Sequence, residues 1–255
     1  MSIILTDFKY GKIFVSDKDV FIGKALICSG QYCDEEVDIF KQILNPDDNV
    51  IEVGANIGSL SIPISQSIGK GVLYSIEPQQ YIYNMLCANI AVNNANNINP
   101  IKVAVGDVLG NVNLPKVYYE TMSNFGGVEI VDGNDGESVG LVTLDEYFKD
   151  LVSLKLIKID VEGMEINVLN GGKSLINKHR PFIYCENDRA DKSKELMSIF
   201  KDLNYSVFEH ISQVFNKQNF NECEINPFDG NYVCINVLAI PNELNIPCEL
   251  KKIEL

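Results

Sequence analysis

The chain has 255 residues, 46% hydrophobic and 22% charged, an ordinary globular balance that excludes a disordered or low-complexity protein. Its formal net charge is −14 with no basic run, so phosphate backbones and anionic bilayers repel it, and nucleic acid and membrane surfaces are poor partners. No apolar stretch reaches the ~18 residues of a spanning helix, so no membrane insertion is expected, and the length suits one α/β domain.

Seven cysteines are present with no C-x-x-C spacing, and His179 and His210 are the two histidines. This reads as free thiols in a reducing compartment rather than as a zinc site. The first residues lack a basic segment followed by an apolar core, so no signal peptide is expected and the location is cytoplasmic.

In chain order, weak alternation over 8–33, with Ser16-Asp17-Lys18-Asp19 as the turn, suggests a β-hairpin annex. Asp34-Glu35-Glu36 opens a helix with Val37, Phe40 and Leu44 on its apolar face, completing an annex over 1–45. The remainder, 46–255, reads as a second unit within one compact domain. Its first strand is 49–53, followed by a glycine-spaced turn and a helix from about Ser61. A second strand, 72–76, ends at Glu77-Pro78, and a helix carries Ile82, Met85, Leu86 and Ile90. A third strand covers about Ile101 to Val105 and ends at Gly106-Asp107.

Residues 108–142 read as an inserted hairpin, with Val112-Asn113-Leu114 and Val128-Glu129-Ile130-Val131 as arms around Ser123-Asn124-Phe125-Gly126-Gly127. Asn124, Phe125 and Gly126 form the candidate substrate loop, with Gly126-Gly127 as its hinge. Thr143-Leu144-Asp145-Glu146 has capping-box spacing. A fourth strand, 156–160, leads to a helix stopped by Gly171-Gly172. A fifth, 182–186, is followed by a helix over 192–203. The last apolar runs, 205–210 and 232–240, read as an antiparallel pair closing the sheet edge.

Alternating strands and helices imply a mostly parallel sheet, whose ligands bind outside the carboxyl ends of the strands. Gly54, Glu77, Asp107, Asp160 and Glu186 all fall at such ends. Glu77 lies about 25 residues beyond Glu52, the usual offset for an acid that accepts from ribose hydroxyls. Asp107 could accept from an adenine amino group. The order Glu52-x-Gly54-Ala55-Asn56-x-Gly58 is not the compact glycine pattern of a dinucleotide site. A positively charged nucleoside without phosphates, such as S-adenosylmethionine, fits these acids.

The residues Ile51-Glu52-Val53-Gly54-Ala55-Asn56-Ile57-Gly58, Glu77-Pro78 and Leu156-Ile157-Lys158-Ile159-Asp160-Val161-Glu162-Gly163-Met164-Glu165 resemble the FkbM-type S-adenosylmethionine-dependent methyltransferases, over about residues 20–210. The resemblance implies a class I, Rossmann-like, seven-stranded and mostly parallel sheet with an antiparallel last strand. It also implies O-methylation of a hydroxyl on a sugar, glycan or secondary metabolite. Carried over by position, Gly54, Ala55, Asn56 and Gly58 line the methionine part of the cofactor, Glu77 holds the ribose and Asp107 the adenine edge, and Glu52 and Pro78 are further cofactor-binding positions. Asp160 lies beneath the sulfonium, and Tyr32 covers the cofactor from the annex. Glu52 departs from the aspartate frequent in the family. Asp160, Glu162, Glu186 and His210 are the candidate bases. Asp160, Glu186 and Asn187 form an alternative Mg²⁺ set. An NAD-dependent oxidoreductase and a non-catalytic nucleoside-binding module are the competing readings, and a homo-oligomer stays open.

Overall fold

The computed structural model describes residues 2–128 and 136–255. The chain begins with a hairpin, β1 (Ile3–Phe8) and β2 (Gly11–Ser16), closed by Phe8 opposite Gly11. The turn thus falls at Lys9-Tyr10, not at 16–19. The next apolar run is a helix, α1 (Ile22–Ser29), rather than a second strand. Ile22, Ala25, Leu26 and Ser29 are buried at helical spacing, and Asp19 accepts from the N–H groups of Phe21 and Gly23, both at 3.0 Å. α2 (Asp34–Ile43) follows as expected, with its acids in the first turn.

The central sheet is then laid down in βα steps: β3 (Val50–Val53), α3 (Ser61–Ile68), β4 (Leu73–Ile76), α4 (Gln80–Val92) and β5 (Ile98–Ile101). A small second sheet holds β6 (Ala104–Val105), β7 (Gly110–Leu114) and β8 (Glu137–Val142), in the order β6-β8-β7. After α5 (Leu144–Tyr147) come β9 (Leu156–Ile159), α6 (Glu165–Asn170), α7 (Lys173–His179), β10 (Phe182–Glu186), α8 (Ala190–Asp202), β11 (Tyr205–Gln213), β12 (Val233–Pro241) and β13 (Lys251–Ile253). Thr143 does cap α5, its hydroxyl accepting from the Glu146 N–H. α7 was not expected, because Gly171-Gly172 interrupts the helical pattern only briefly.

The main sheet has eight strands in the order β13-β11-β12-β10-β9-β3-β4-β5, not seven, because β13 pairs outside β11. Neighbours from β10 to β5 are parallel, while β12 runs antiparallel to both β10 and β11. The chain crosses outward in opposite directions from β3 and β9, so a switch point lies between them.

Two further expectations shift. The third strand is Ile98–Ile101, and Ala104-Val105 leave it for the small sheet. Pro100 is tolerated because β5 is an edge. Val112 pairs with Val139, so β8 is the partner of β7, while most of the expected arm, 129–131, falls outside the described residues.

Alternate residues face opposite sides of the sheet. Val50, Leu156 and Phe182 join one buried cluster with Phe8, Ile13 and Leu26 of the N-terminal segment. Ile51, Ile157 and Ile183 join the other, with Leu144, Val168 and Phe200. The cysteines are not all free: Cys28 and Cys223 form a disulfide that ties the end of α1 to the segment between β11 and β12. Among the described residues, no helix is long and apolar enough to cross a membrane.

Candidate active site

The turn after β3 is fixed by a close backbone approach. Gly54 adopts φ +85°, and a Cβ there would stand 1.7 Å from the Asp160 carbonyl oxygen. The N–H groups of Gly54 and Ala55 both donate to the Ile76 carbonyl, at 3.0 and 2.9 Å, which draws the turn onto the end of β4. Glu77 completes the join. Its carboxylate accepts from the Asn56 N–H at 3.1 Å and from the Gln79 N–H at 2.9 Å. The three motifs of the sequence therefore meet at the switch point.

Two cavities open there and share Gly54, Glu77, Gly126, Asp160 and Glu162. One, about 60 Å³, is narrow and apolar, walled by Ile76, Pro78, Val103, Val105, Leu114 and Met164. The other, about 250 Å³, is polar and reaches Tyr32, Glu36, Asn56, Glu186, Asp188 and Asn236. Residues 123–128 close over both. Asn124 and Gly126 line the wide cavity, while Phe125 is buried beneath and its carbonyl accepts from the Gln79 side chain at 3.0 Å.

Several expected site residues lie elsewhere. Glu52 is fully buried, accepts from Ser61 and Ser75 hydroxyls at 2.5 and 3.0 Å, and lines neither cavity. It stands directly across from Lys158 on the neighbouring strand. Ala55 and Gly58 shape the turn from behind and also line neither cavity. Asp107 is exposed and bonded to Asn167, away from both, because the third strand ends earlier than the sequence suggested. His210 is buried on β11, its Nδ1 2.6 Å from the Tyr184 hydroxyl, and faces neither cavity. Asn187 lines a small neighbouring cavity with Arg189 and Lys192, so the oxygen ligands Asp160, Glu186 and Asn187 do not share one space.

Residues not assigned to the site from the sequence complete it. Val103 and Met164 wall the apolar cavity, and Gln79 links it to the covering loop. The apolar run ending at Val105 was the available signal for Val103. Glu36 and Cys234 enter the wide cavity from α2 and β12, with no local spacing to announce them.

The electrostatics are those of crowded acids around one buried cation. Burial pulls the Lys158 ammonium down, but Asp160, Glu52 and Glu36 more than offset it and leave it raised, with Lys158 Nζ 3.2 Å from Asp160. Burial, reinforced by Asp160, pushes Glu77 up to about 7. Glu162, held at φ +53° with Arg189 at 3.4 Å, is likewise pushed up to about 7, burial and Asp160 outweighing Arg189. Glu186 is pushed up to about 10 by burial and by Asp160, Asp188 and Glu162, and its Oε2 is buried with no hydrogen-bond partner. An unpartnered buried carboxyl oxygen beside a cavity is a group waiting for a ligand donor or acceptor.

A sheet of this order with a glycine turn and acids at the switch point defines an α/β methyltransferase-like fold. Residues 52–220 match the methyltransferase FkbM domain, and the chain belongs to that family. It is 27% identical over 154 residues to Methyltransferase sdnD of Sordaria araneosa, covering 48% of this chain and 59% of that one. It is 31% identical over 100 residues to the tRNA(Phe) (4-demethylwyosine(37)-C(7)) aminocarboxypropyltransferase of Methanocaldococcus jannaschii, covering 39% of this chain and 38% of the relative. The chain thus spans less than two thirds of either curated relative. Among solved structures, the precorrin-6y C5,15-methyltransferase of Geobacter metallireducens GS-15 has the same fold, with a TM-score of 0.52 at 12% identity over 81% of this chain and 88% of that one. The family match leaves the NAD-dependent oxidoreductase reading without support.

Proposed function

We propose that the protein is an S-adenosylmethionine-dependent O-methyltransferase acting on a small hydroxylated acceptor of the sugar or secondary-metabolite kind. The observation that carries it is the pair of joined cavities: an apolar slot with one buried acid at its rim, and a polar, acid-walled chamber, meeting at Gly54 and Asp160. The apolar walls Ile76, Val103 and Met164 suit the faces of a purine, which the slot widens to admit, and Glu77 suits the ribose hydroxyls. When bound, S-adenosylmethionine supplies an electrophilic methyl group and a positive charge that the surrounding carboxylates attract.

The chain's own residues then have separable roles. Asp160, oriented by Lys158, sits where the cavities meet. Glu162 is poised near neutrality and lines both, so it takes the acceptor hydroxyl proton as general base. Glu186, protonated at neutral pH, donates to an acceptor oxygen rather than serving as base. The covering segment 123–128 limits water and aligns the acceptor. Walls this acidic repel anionic acceptors, which weighs against a polyphosphate substrate such as tRNA.

Calorimetry tests the reading. S-adenosylhomocysteine is expected to bind while NADH does not, and Glu77→Gln is expected to weaken binding by roughly 10–100-fold, the value of a lost charged hydrogen bond. Binding of NADH alone overturns it. A screen of hydroxylated acceptors with labelled cofactor then identifies the class, and transfer of label separates an enzyme from a nucleoside-binding module.

A further inference from the structure

The wide cavity has one wall of different chemistry. Cys33, Glu36 and Cys234 each present a ligand atom to a common point, all within 4.8 Å of one another, and the two sulfurs are 3.0 Å apart. Two distant parts of the chain assemble this group. Cys33 and Glu36 come from the start of α2, and Cys234 comes from β12, inserted beside β10.

Three observations mark it as built. Cys33 is held at φ +44°, a left-handed conformation that is strained for a non-glycine residue and persists where the surroundings require it. Glu36 is buried, and one of its oxygens, Oε1, accepts from both Ser212 Oγ and Asn236 Nδ2 at 3.0 Å. That is how outer partners fix the orientation of a ligating carboxylate. Glu36 and Cys234 also line the wide cavity, so the point where the three atoms converge is reached from it.

We propose that Cys33, Glu36 and Cys234 form a binding site for a borderline-soft divalent cation, Zn²⁺, with its fourth coordination position turned into the wide cavity. Two thiolates and a carboxylate suit Zn²⁺ over Mg²⁺, and three protein ligands with an open fourth place are the pattern of a reactive rather than a structural zinc site. Tetrahedral bonds of about 2.3 Å place two sulfurs about 3.8 Å apart, so the pair opens by less than ~1 Å to admit the ion. Burial pushes the Cys33 thiol up, and the incoming cation displaces the protons of both sulfurs into solvent. Lys158, the nearby buried cation, is balanced by Asp160 and Glu52 as well as by Glu36.

The test uses the full chain under reducing conditions, with Co²⁺ as the spectroscopic probe. One Co²⁺ per chain is expected, with the near-ultraviolet thiolate-to-metal charge-transfer band, displaced by one equivalent of Zn²⁺. Cys234→Ser is expected to reduce the band and weaken Zn²⁺ binding by more than about 100-fold, beyond what loss of an outer partner costs. Cys28→Ser, at the disulfide, is expected to leave both unchanged. Thermal unfolding confirms that each variant is folded, and Glu36→Gln offers a variant that leaves both sulfurs in place and is expected to keep the band while binding more weakly. The proposal is overturned by a folded, reduced chain that gives no band, by an unchanged band in Cys234→Ser, or by mass spectrometry showing that the two sulfurs only form a disulfide. None of these outcomes depends on methyl transfer.

Discussion

At the scale of single residues, the site is a set of positions that admit no larger or neutral substitute. Gly54 is the clearest. Its φ of +85° strains any other residue, and a methyl group there collides with the Asp160 carbonyl at 1.7 Å, backbone that cannot swing aside. Gly54→Ala is therefore expected to force β3 and β9 apart at their carboxyl ends. It should abolish S-adenosylhomocysteine binding and cost about 1–3 kcal/mol of stability, read by calorimetry and thermal unfolding. Glu162 makes a different prediction. Pushed up to about 7 mainly by burial, it is ionised only above that value, so kcat/KM is expected to rise with pH through about 7. Glu162→Gln should lower kcat roughly 100-fold or more and remove that limb of the profile. A limb that survives in the variant assigns the base elsewhere. The same reasoning takes Glu186 out of the basic role given it by sequence. A carboxyl pushed up to about 10 carries its proton at neutral pH, a consequence of neighbours that strand positions alone did not reveal.

At the scale of elements, the segment over the cavities is a clamped strap rather than a free flap hinged at Gly126-Gly127. Ser123 exchanges backbone hydrogen bonds with Lys18 and Val20, both at 3.1 Å, and the Phe125 carbonyl is held by Gln79. Phe125 packs edge-on to Tyr119, itself stacked on Tyr81 at 4.1 Å. Phe125→Ala is expected to cost about 3–5 kcal/mol, as large-to-small changes in a core do, and to raise the Kd for cofactor because Gly126 borders both cavities. Asn124→Ala, on the strap's cavity side, should leave the melting temperature nearly unchanged and raise the acceptor KM alone. The parallel strands β3, β4, β9 and β10 were legible because strands buried on both faces read as apolar runs. β5 was displaced because its asparagine and Pro100 belong to an edge, and with it went the assignment of Asp107 to the site. α1 was misread because a short apolar run fits either period. The strand-end acids were legible, since a carboxylate after a buried run has little reason to be there except a ligand or a cap. Cys33 and Cys234 were not, because only the insertion of β12 between β10 and β11 brings them together.

At the scale of the whole molecule, a few of the acids behind the net charge of −14 are buried around one site. Glu77 and Glu162 are pushed up to about 7, and Glu186 to about 10, burial being the leading cause for each and 4.5 the ordinary value. The folded chain therefore keeps protons that the unfolded chain has released. The stabilisation from these groups is fully present below about pH 4.5 and is lost as pH rises through 7, continuing toward 10 for Glu186. Between pH 5.5 and 8, where most carboxylates are ionised in both states, the melting temperature is expected to fall by several degrees, at about 2–4 °C per kcal/mol for a chain of this size. Scanning calorimetry across that window at constant ionic strength measures the slope. Glu77→Gln, which removes one titrating carboxyl at nearly constant shape, should flatten it. A cationic ligand among these carboxylates favours their ionised forms, so saturating S-adenosylmethionine is expected to flatten the slope as well. Neutral S-adenosine analogues lacking the sulfonium charge should not do so to the same degree. That difference ties the acid-walled chamber to the charge of the molecule it holds: a slope unaffected by S-adenosylmethionine would mean that the carboxylates serve the fold and not the cofactor.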